Sequence, residues 1–270
     1  GTPNPHDSLG LCYQRFGLYE EAIAEYERAL ALDPEFEIAL VHLGNAYAQT
    51  GRSREAISCY ARYGEAAPSS VERARAQYSL AFQYVRIGDR ARARAAARKA
   101  IAESASSALT ELEMALLEGN VTAAERASAR LDDGYASRGG RLTDRIRLAM
   151  LGRLAFAQGR PDEAIERFRE AIQRPAPFWN YDPLEDCLAN GLLEAGRLDE
   201  ALAEYERILA TNPRYPLARY HLARLYERRN EPEKAADEYR RFLEIWSAAD
   251  EEAPEVVDAR ARIAALTASA

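Results

Sequence analysis

The feature that most constrains this chain is a spacing. Leu9-Gly10-x-x-Tyr13, Gly17, Ala22, Tyr26, Ala29 and Pro34 return 34 residues later as Leu43-Gly44-x-x-Tyr47, Gly51, Ala56, Tyr60, Tyr63 and Pro68. Toward the other end, Leu188-Ala189-x-x-Leu192, Gly196, Ala201, Tyr205, Ile208 and Pro213 are followed at the same distance by Leu222-Ala223-x-x-Tyr226, Asn230, Ala235, Tyr239 and Phe242. A period of this length means that each copy is one small structural unit, which buries its apolar face only by stacking on its neighbours. Looser copies run through the middle. Leu80-Ala81-x-x-Tyr84 with Gly88 and Ala93 fits after a three-residue insertion around Val71–Arg73, and Leu151-Gly152-x-x-Ala155 with Gly159 and Ala164 fits as well. Leu112-x-x-Ala115 with Gly119 and Ala124 is marginal, and a Gly-containing loop, Asp132–Gly140, follows it.

At these residues the chain resembles the tetratricopeptide repeat (TPR) family. The resemblance implies an all-α fold, a TPR α-solenoid: a right-handed superhelix of antiparallel helix pairs with a C-terminal capping helix. The units expected are 3–36, 37–70, 74–104, an irregular 105–140, 145–178, 182–215 and 216–249. Residues 254–270, with Val257, Ile263 and Leu266 at helical spacing, supply the cap. The residue types fit such a unit. Gly17, Gly51, Gly88, Gly159 and Gly196 end first helices, where glycine takes the left-handed conformation cheaply. Ser53, Asp162 and Asp199 open second helices as N-caps or first-turn charges. Pro34, Pro68 and Pro213 stop them. Small slots at Gly10, Gly44 and Gly152 let paired helices approach closely, and large slots at Tyr26, Tyr60, Tyr205 and Tyr239 fill the space between them.

Composition removes several function classes. The net charge of −7 and pI near 5.3 argue against a phosphate-backbone binder, so no nucleic-acid partner is expected. No apolar run is long enough to insert directly in a membrane. Cys12, Cys59 and Cys187 form no CxxC pair, and His6, His42 and His221 sit in no ligand spacing, so neither a disulfide framework nor a metal site is expected. Together these suit a reducing, cytoplasmic setting. The adjacent carboxylates Glu20-Glu21, Asp132-Asp133 and Glu251-Glu252 do not share a helical face. No Gly-rich phosphate cradle occurs. The chain is therefore expected to be no enzyme and to use no cofactor.

What a TPR array offers is surface. The family's groove register, carried onto this sequence, selects Val41, Asn45, Arg75, Tyr78, Phe82, Arg86, Arg153, Phe156, Asn190, Tyr220 and Arg224 as candidate partner-binding residues on the concave face. The carboxylate clamp of chaperone-tail-binding members is absent: Asn45 matches one clamp position, but Val41 stands where Lys is expected and Ser79 replaces an Asn. Apolar anchors flanked by arginine suit an extended or helical protein segment carrying some acidic residues. The proline- and aromatic-rich stretch Pro175–Pro183 either folds over the array or presents a second partner site. The closing segment Tyr239–Trp246, with the helix after it, resembles TPR extensions of bacterial signalling proteins. Together with the non-Met start, it suggests a piece of a larger protein. The expectation is a non-catalytic scaffold binding a protein or peptide, monomeric or weakly self-associating. The alternative is a self-association module that clusters an attached signalling or enzymatic domain.

Overall fold

The small and large slots of the repeat meet directly. A Cβ built on Gly10 would lie 2.5 Å from the Tyr26 ring, and one on Gly44 would lie 2.7 Å from the ring of Tyr60. A Cβ on Gly152 would lie 2.5 Å from Phe168, so only glycine admits the aromatic there. These contacts come from a computed structural model, which describes residues 1–103, 107–132, 140–174 and 184–268. Among the described residues all regular structure is helical. The helices are α1 (Asn4–Arg15), α2 (Tyr19–Leu32), α3 (Glu37–Gln49), α4 (Ser53–Ala66), α5 (Ser70–Arg86), α6 (Arg90–Glu103), α7 (Ser107–Leu117) and α8 (Val121–Asp132). They continue with α9 (Gly140–Ala157), α10 (Pro161–Gln173), α11 (Cys187–Glu194), α12 (Leu198–Thr211), α13 (Pro216–Arg228), α14 (Pro232–Ile245) and α15 (Pro254–Ala268). Consecutive helices pack as pairs, α1 on α2, α3 on α4, α7 on α8, α9 on α10 and α13 on α14. The turn inside each pair carries a left-handed residue. It is glycine in six pairs, and Asn230, at φ 59°, in α13/α14.

The chain divides into two compact bodies, one made of residues 1–96 and 205–270 and the other of residues 97–204. In the first body Tyr26, Tyr60, Tyr205 and Tyr239 are all buried, which confirms the large slots as packing positions. The aromatic cluster Tyr220, Tyr239, Phe242 and Trp246 closes its C-terminal part, with Val256 and Ala259 of α15 packed against it. Here the two ends of the chain also touch. Asn212 donates to the Tyr19 hydroxyl across 193 residues of sequence, at 3.2 Å, and the Trp246 indole N–H donates to the Gln49 carbonyl across 197, at 2.8 Å. In the second body Leu112, Ala124, Leu131, Met150 and Leu154 form the core.

One local expectation needs correction. Ser53 does not cap α4; it is the first helical residue, and the preceding Arg52 makes no side-chain cap. The insertion around Val71–Arg73 lies within α5. It adds a turn to the start of α5, where the Ser69 hydroxyl caps the helix by accepting from the Glu72 N–H and donates to the Glu72 carboxylate. The fourth unit, expected as an irregular helix pair, holds α7 and α8, joined through Gly119 at φ 70°. Most of the expected loop 132–140, and the whole stretch 175–183, lie outside the described residues.

Candidate partner-binding face

The first helices α3 and α5 carry most of the expected face, and buried polar bonds set α1 against α3. The Asp7 carboxylate lies 2.8 Å from His42 Nδ1, with both side chains buried. Gln14 accepts from the Tyr26 hydroxyl at 2.7 Å and donates to the Gln49 amide oxygen at 2.6 Å. On α3, Val41 and Asn45 are half-buried, and the Asn45 oxygen accepts from Tyr60 at 2.7 Å. On α5, Tyr78 and Phe82 are half-buried while Arg75 is exposed. Burial raises the Tyr63 phenol, and the nearby Arg75 guanidinium works against that shift. One turn beyond Phe82, Arg86 pairs with Glu255 at 2.8 Å and lies 5.6 Å from the centre of the Trp246 ring.

Tyr220 departs from expectation. The register points it into an open groove, but α15 covers it. Its ring packs on Tyr239 and Phe242, and its hydroxyl donates to Asp258 at 2.6 Å. Burial, and then the hydrogen bond to the Asp258 carboxylate, push the Tyr220 phenol well above its ordinary range. Arg224, one turn on, is half-buried and electrostatically engaged with Asp258. In the second body, Arg153 reaches the buried Glu113 at 3.4 Å, and Phe156 stacks on Phe168 with ring centres 6.1 Å apart. Asn190 is half-buried on α11. The eleven candidates are divided between the two bodies. Val41 and Asn45 on α3 and Arg75, Tyr78, Phe82 and Arg86 on α5 stand on consecutive first helices, whereas Arg153, Phe156 and Asn190 belong to the other body.

Among the described residues no group of three or more His, Cys, Asp or Glu is placed to hold a metal ion, and no helix is long and apolar enough to cross a membrane. Burial pushes the Cys59 thiol up to about 11 and holds the His221 imidazole down at about 4, which leaves the first protonated and the second neutral near pH 7.

Models of the tetratricopeptide repeat match residues 149–182, 188–254 and 39–71, and a TPR repeat model matches residues 10–51. The chain is a tetratricopeptide repeat protein. Its relatives include the peroxisomal targeting signal receptor of Candida glabrata, 31% identical over 166 residues, which is 61% of this chain and 25% of the receptor. A human zinc finger CCCH domain-containing protein 7B is 40% identical over 63 residues, 23% of this chain and 6% of that protein. The chain thus spans a quarter or less of the length of these relatives. Among solved structures, a tetratricopeptide repeat protein from Parabacteroides merdae superposes with a TM-score of 0.54 at 15% identity, covering 98% of each chain. A chain of the APC/C hetero-tetramer Cut9–Hcn1 superposes equally well, with a TM-score of 0.54 at 17% identity, over 92% of this chain and 47% of that one. These likenesses agree with the TPR fold built above.

Sequence reasoning missed several residues that organise this TPR protein. Arg145, almost wholly buried, donates to the Ala171 and Arg174 carbonyls at 3.1 and 2.7 Å and pairs with Glu185 at 2.9 Å, closing the C-terminal end of α10. Nothing in the repeat pattern marks it, because its slot varies between units. The Asp7–His42 bond was missed for the same reason.

Proposed function

We propose that this TPR protein is a non-catalytic scaffold that holds a protein or peptide segment against the first-helix face of α3 and α5. One observation carries the reading: Val41, Tyr78 and Phe82 keep part of their apolar surface in solvent on adjacent first helices, beside the exposed Arg75. Partly exposed aromatics next to arginine are the residue types that anchor partners in interfaces. They suit an extended or helical segment with apolar anchors and acidic flanks. Support also comes from the C. glabrata relative, whose name makes it a receptor for a targeting signal. A protonated Cys59 and the absence of a nucleophile–base pair from the sequence motifs fit a non-catalytic role. The test is affinity capture with the chain and with a Tyr78→Ala/Phe82→Ala variant that keeps its helical circular dichroism. Partners lost from the variant support the face; identical partner sets overturn it.

A second reading, self-association, rests on a different surface. The α1 face that corresponds to the packed face of α3 is open: Leu9 is 40% exposed where Leu43 is 4%, and Phe16 is 62% exposed where Thr50 is 2%. Light scattering across concentration tests it, with Leu9→Glu/Phe16→Glu as the variant. A monomer at every concentration removes this reading.

A further inference from the structure

Four of the six glycine turns, at Gly88, Gly119, Gly159 and Gly196, have open space where a Cβ would stand. Gly17 and Gly51 do not. A Cβ on Gly17 would collide with Asn212 and Arg214, and one on Gly51 would lie 2.6 Å from the Trp246 ring. The two contacts are related by one repeat period on both sides, so the edge of the first two units lies in register against the loops that follow α12 and α14.

The second contact continues into an acidic segment. The Asp250 backbone N–H donates to the Gly51 carbonyl at 3.0 Å, and the Asp250 carboxylate accepts from the Arg54 backbone N–H at 3.3 Å and from its guanidinium at 3.2 Å. Asp250 therefore serves the α4 N-terminus, which has no cap of its own, from 196 residues away. Glu252 adds a 3.2 Å pair to Arg54, and Glu255 a 2.8 Å pair to Arg86. The seat is basic and the occupant is acidic. The fit is incomplete: a cavity remains between Ser53, Ile87 and Pro254. The outermost holding contact is of a weak kind, since the Arg54 and Glu252 side chains are 60% and 72% exposed and such pairs are screened by salt, whereas Asp250 and the Arg86–Glu255 pair are mostly sheltered. Trp246 is anchored on its own helix, with its ring 4.8 Å from that of Phe242, and Ala253 and Val256 pack on the same cluster, so lifting the segment means peeling back the first turn of α15 with the Trp246 anchor left in the α14 core.

We propose that Asp250–Glu255 is a releasable intramolecular ligand, occupying at Arg54, Arg86 and the α4 N-terminus a seat that binds an acidic peptide segment of a partner when the chain's own segment lifts off. Tethering gives the resident segment a high local concentration, so a partner must compete with it, and the seat is closed until it does. This inference does not rest on the α3–α5 face. The two share Arg86, but Arg54 and the N-terminus of α4 belong to the seat alone, and Tyr78 and Phe82 to the face alone.

The probe is a fluorescent synthetic peptide of residues 247–257, titrated by anisotropy into the unaltered chain and into Asp250→Asn/Glu252→Gln/Glu255→Gln. The peptide is expected to bind the variant roughly ten-fold or more tightly than the unaltered chain. That binding weakens as salt is raised, and it is lost when Arg54→Gln is added. Equal binding to both chains, or no binding to a variant with unchanged circular dichroism, overturns the proposal. So does a variant that loses its helical signal, since the segment would then be part of the fold and not a displaceable ligand. Because Tyr78 and Phe82 are untouched, a failure here leaves the capture experiment on the α3–α5 face standing, and the reverse also holds.

Discussion

Gly51 and Gly88 make a matched pair for measuring the contact between the chain ends. Both end a first helix in the left-handed region, at φ 74° and 77°, so alanine costs each about 1–2 kcal/mol of backbone strain. At Gly88 the added Cβ meets nothing within 4 Å, and strain is the whole cost. At Gly51 it arrives 2.6 Å from Trp246 Cε3 and 2.8 Å from two further ring atoms, and the ring must retreat by roughly 1 Å to restore ordinary contact. Trp246 is only 3% exposed, packs on Phe242 and donates its indole N–H to Gln49, so it has little room to move. Overpacking of this kind costs about 1–3 kcal/mol, and a lost indole hydrogen bond about 1 more. Gly51→Ala is therefore expected to cost about 2–4 kcal/mol beyond Gly88→Ala. Urea denaturation followed by circular dichroism measures both. Trp246 emission, read in a Trp179→Phe background, should shift to the red in the Gly51 variant alone. Two variants within about 0.5 kcal/mol of each other, with unchanged emission, would refute the end contact as a source of stability.

Tyr205→Ala, which removes a fully buried ring from the large slot, should cost about 3–5 kcal/mol by denaturant titration; wild-type melting would remove Tyr205 from the core. Arg145→Met leaves Glu185 and two helix-end carbonyls without their buried donor and should cost about 2–4 kcal/mol, read as lost hydrogen-exchange protection at the end of α10. Burial, with Arg224 beside it, keeps the folded His221 imidazole at about 4 against 6.5 for the free group. As pH falls from about 6.5 toward about 4 the unfolded chain takes up a proton that the folded chain refuses, so stability is lost across that window. His221→Phe should reduce this loss by up to about 2–3 kcal/mol, checked by comparing Tm at about pH 7 and about pH 5; parallel pH profiles for the two chains would show that His221 does not couple to folding.

The helix pairs were legible because their determinants are local and repeated. Gly10 against Tyr26 and Gly44 against Tyr60 are each a small residue and a ring at a fixed separation within one unit, and the period shows the same solution twice. What varies between units was not legible. Arg145 and the Asp7–His42 bond occupy slots that hold other residues elsewhere, so no repetition points to them. The candidate face was legible only as a register. That register identifies which side of a first helix faces away from its partner, and the Val41, Tyr78 and Phe82 it selects are half-buried. It fails at Tyr220, because whether such a position stays open depends on what packs next along the chain, and there the neighbour is α15. One sequence signal did bear on the end contact. The slot after each second helix holds Asp33, Ala67 and Asn212 in other units, and Trp246 in the last. A large aromatic ring where the other units carry a polar or small residue has apolar surface to bury, and Gly51 is where it goes.

That contact changes how the stability of these repeats should be added up. In an open array each unit touches only its sequence neighbours, total stability is a sum of unit and nearest-neighbour terms, and the terminal units fray first. Here the first unit also meets the loop after α12 through Gly17, and the second meets Trp246 after α14 through Gly51 and Gln49. These terms join residues separated by 193 to 197 positions, so forming them costs the closure of a very long loop once, and the first of the two contacts bears most of that cost. After it has formed, the second contact follows almost free of further closure entropy, because the repeat period has already set its register. The pair should therefore form and break together, which makes α1 to α4 and α13 to α15 one cooperative element in spite of the sequence between them.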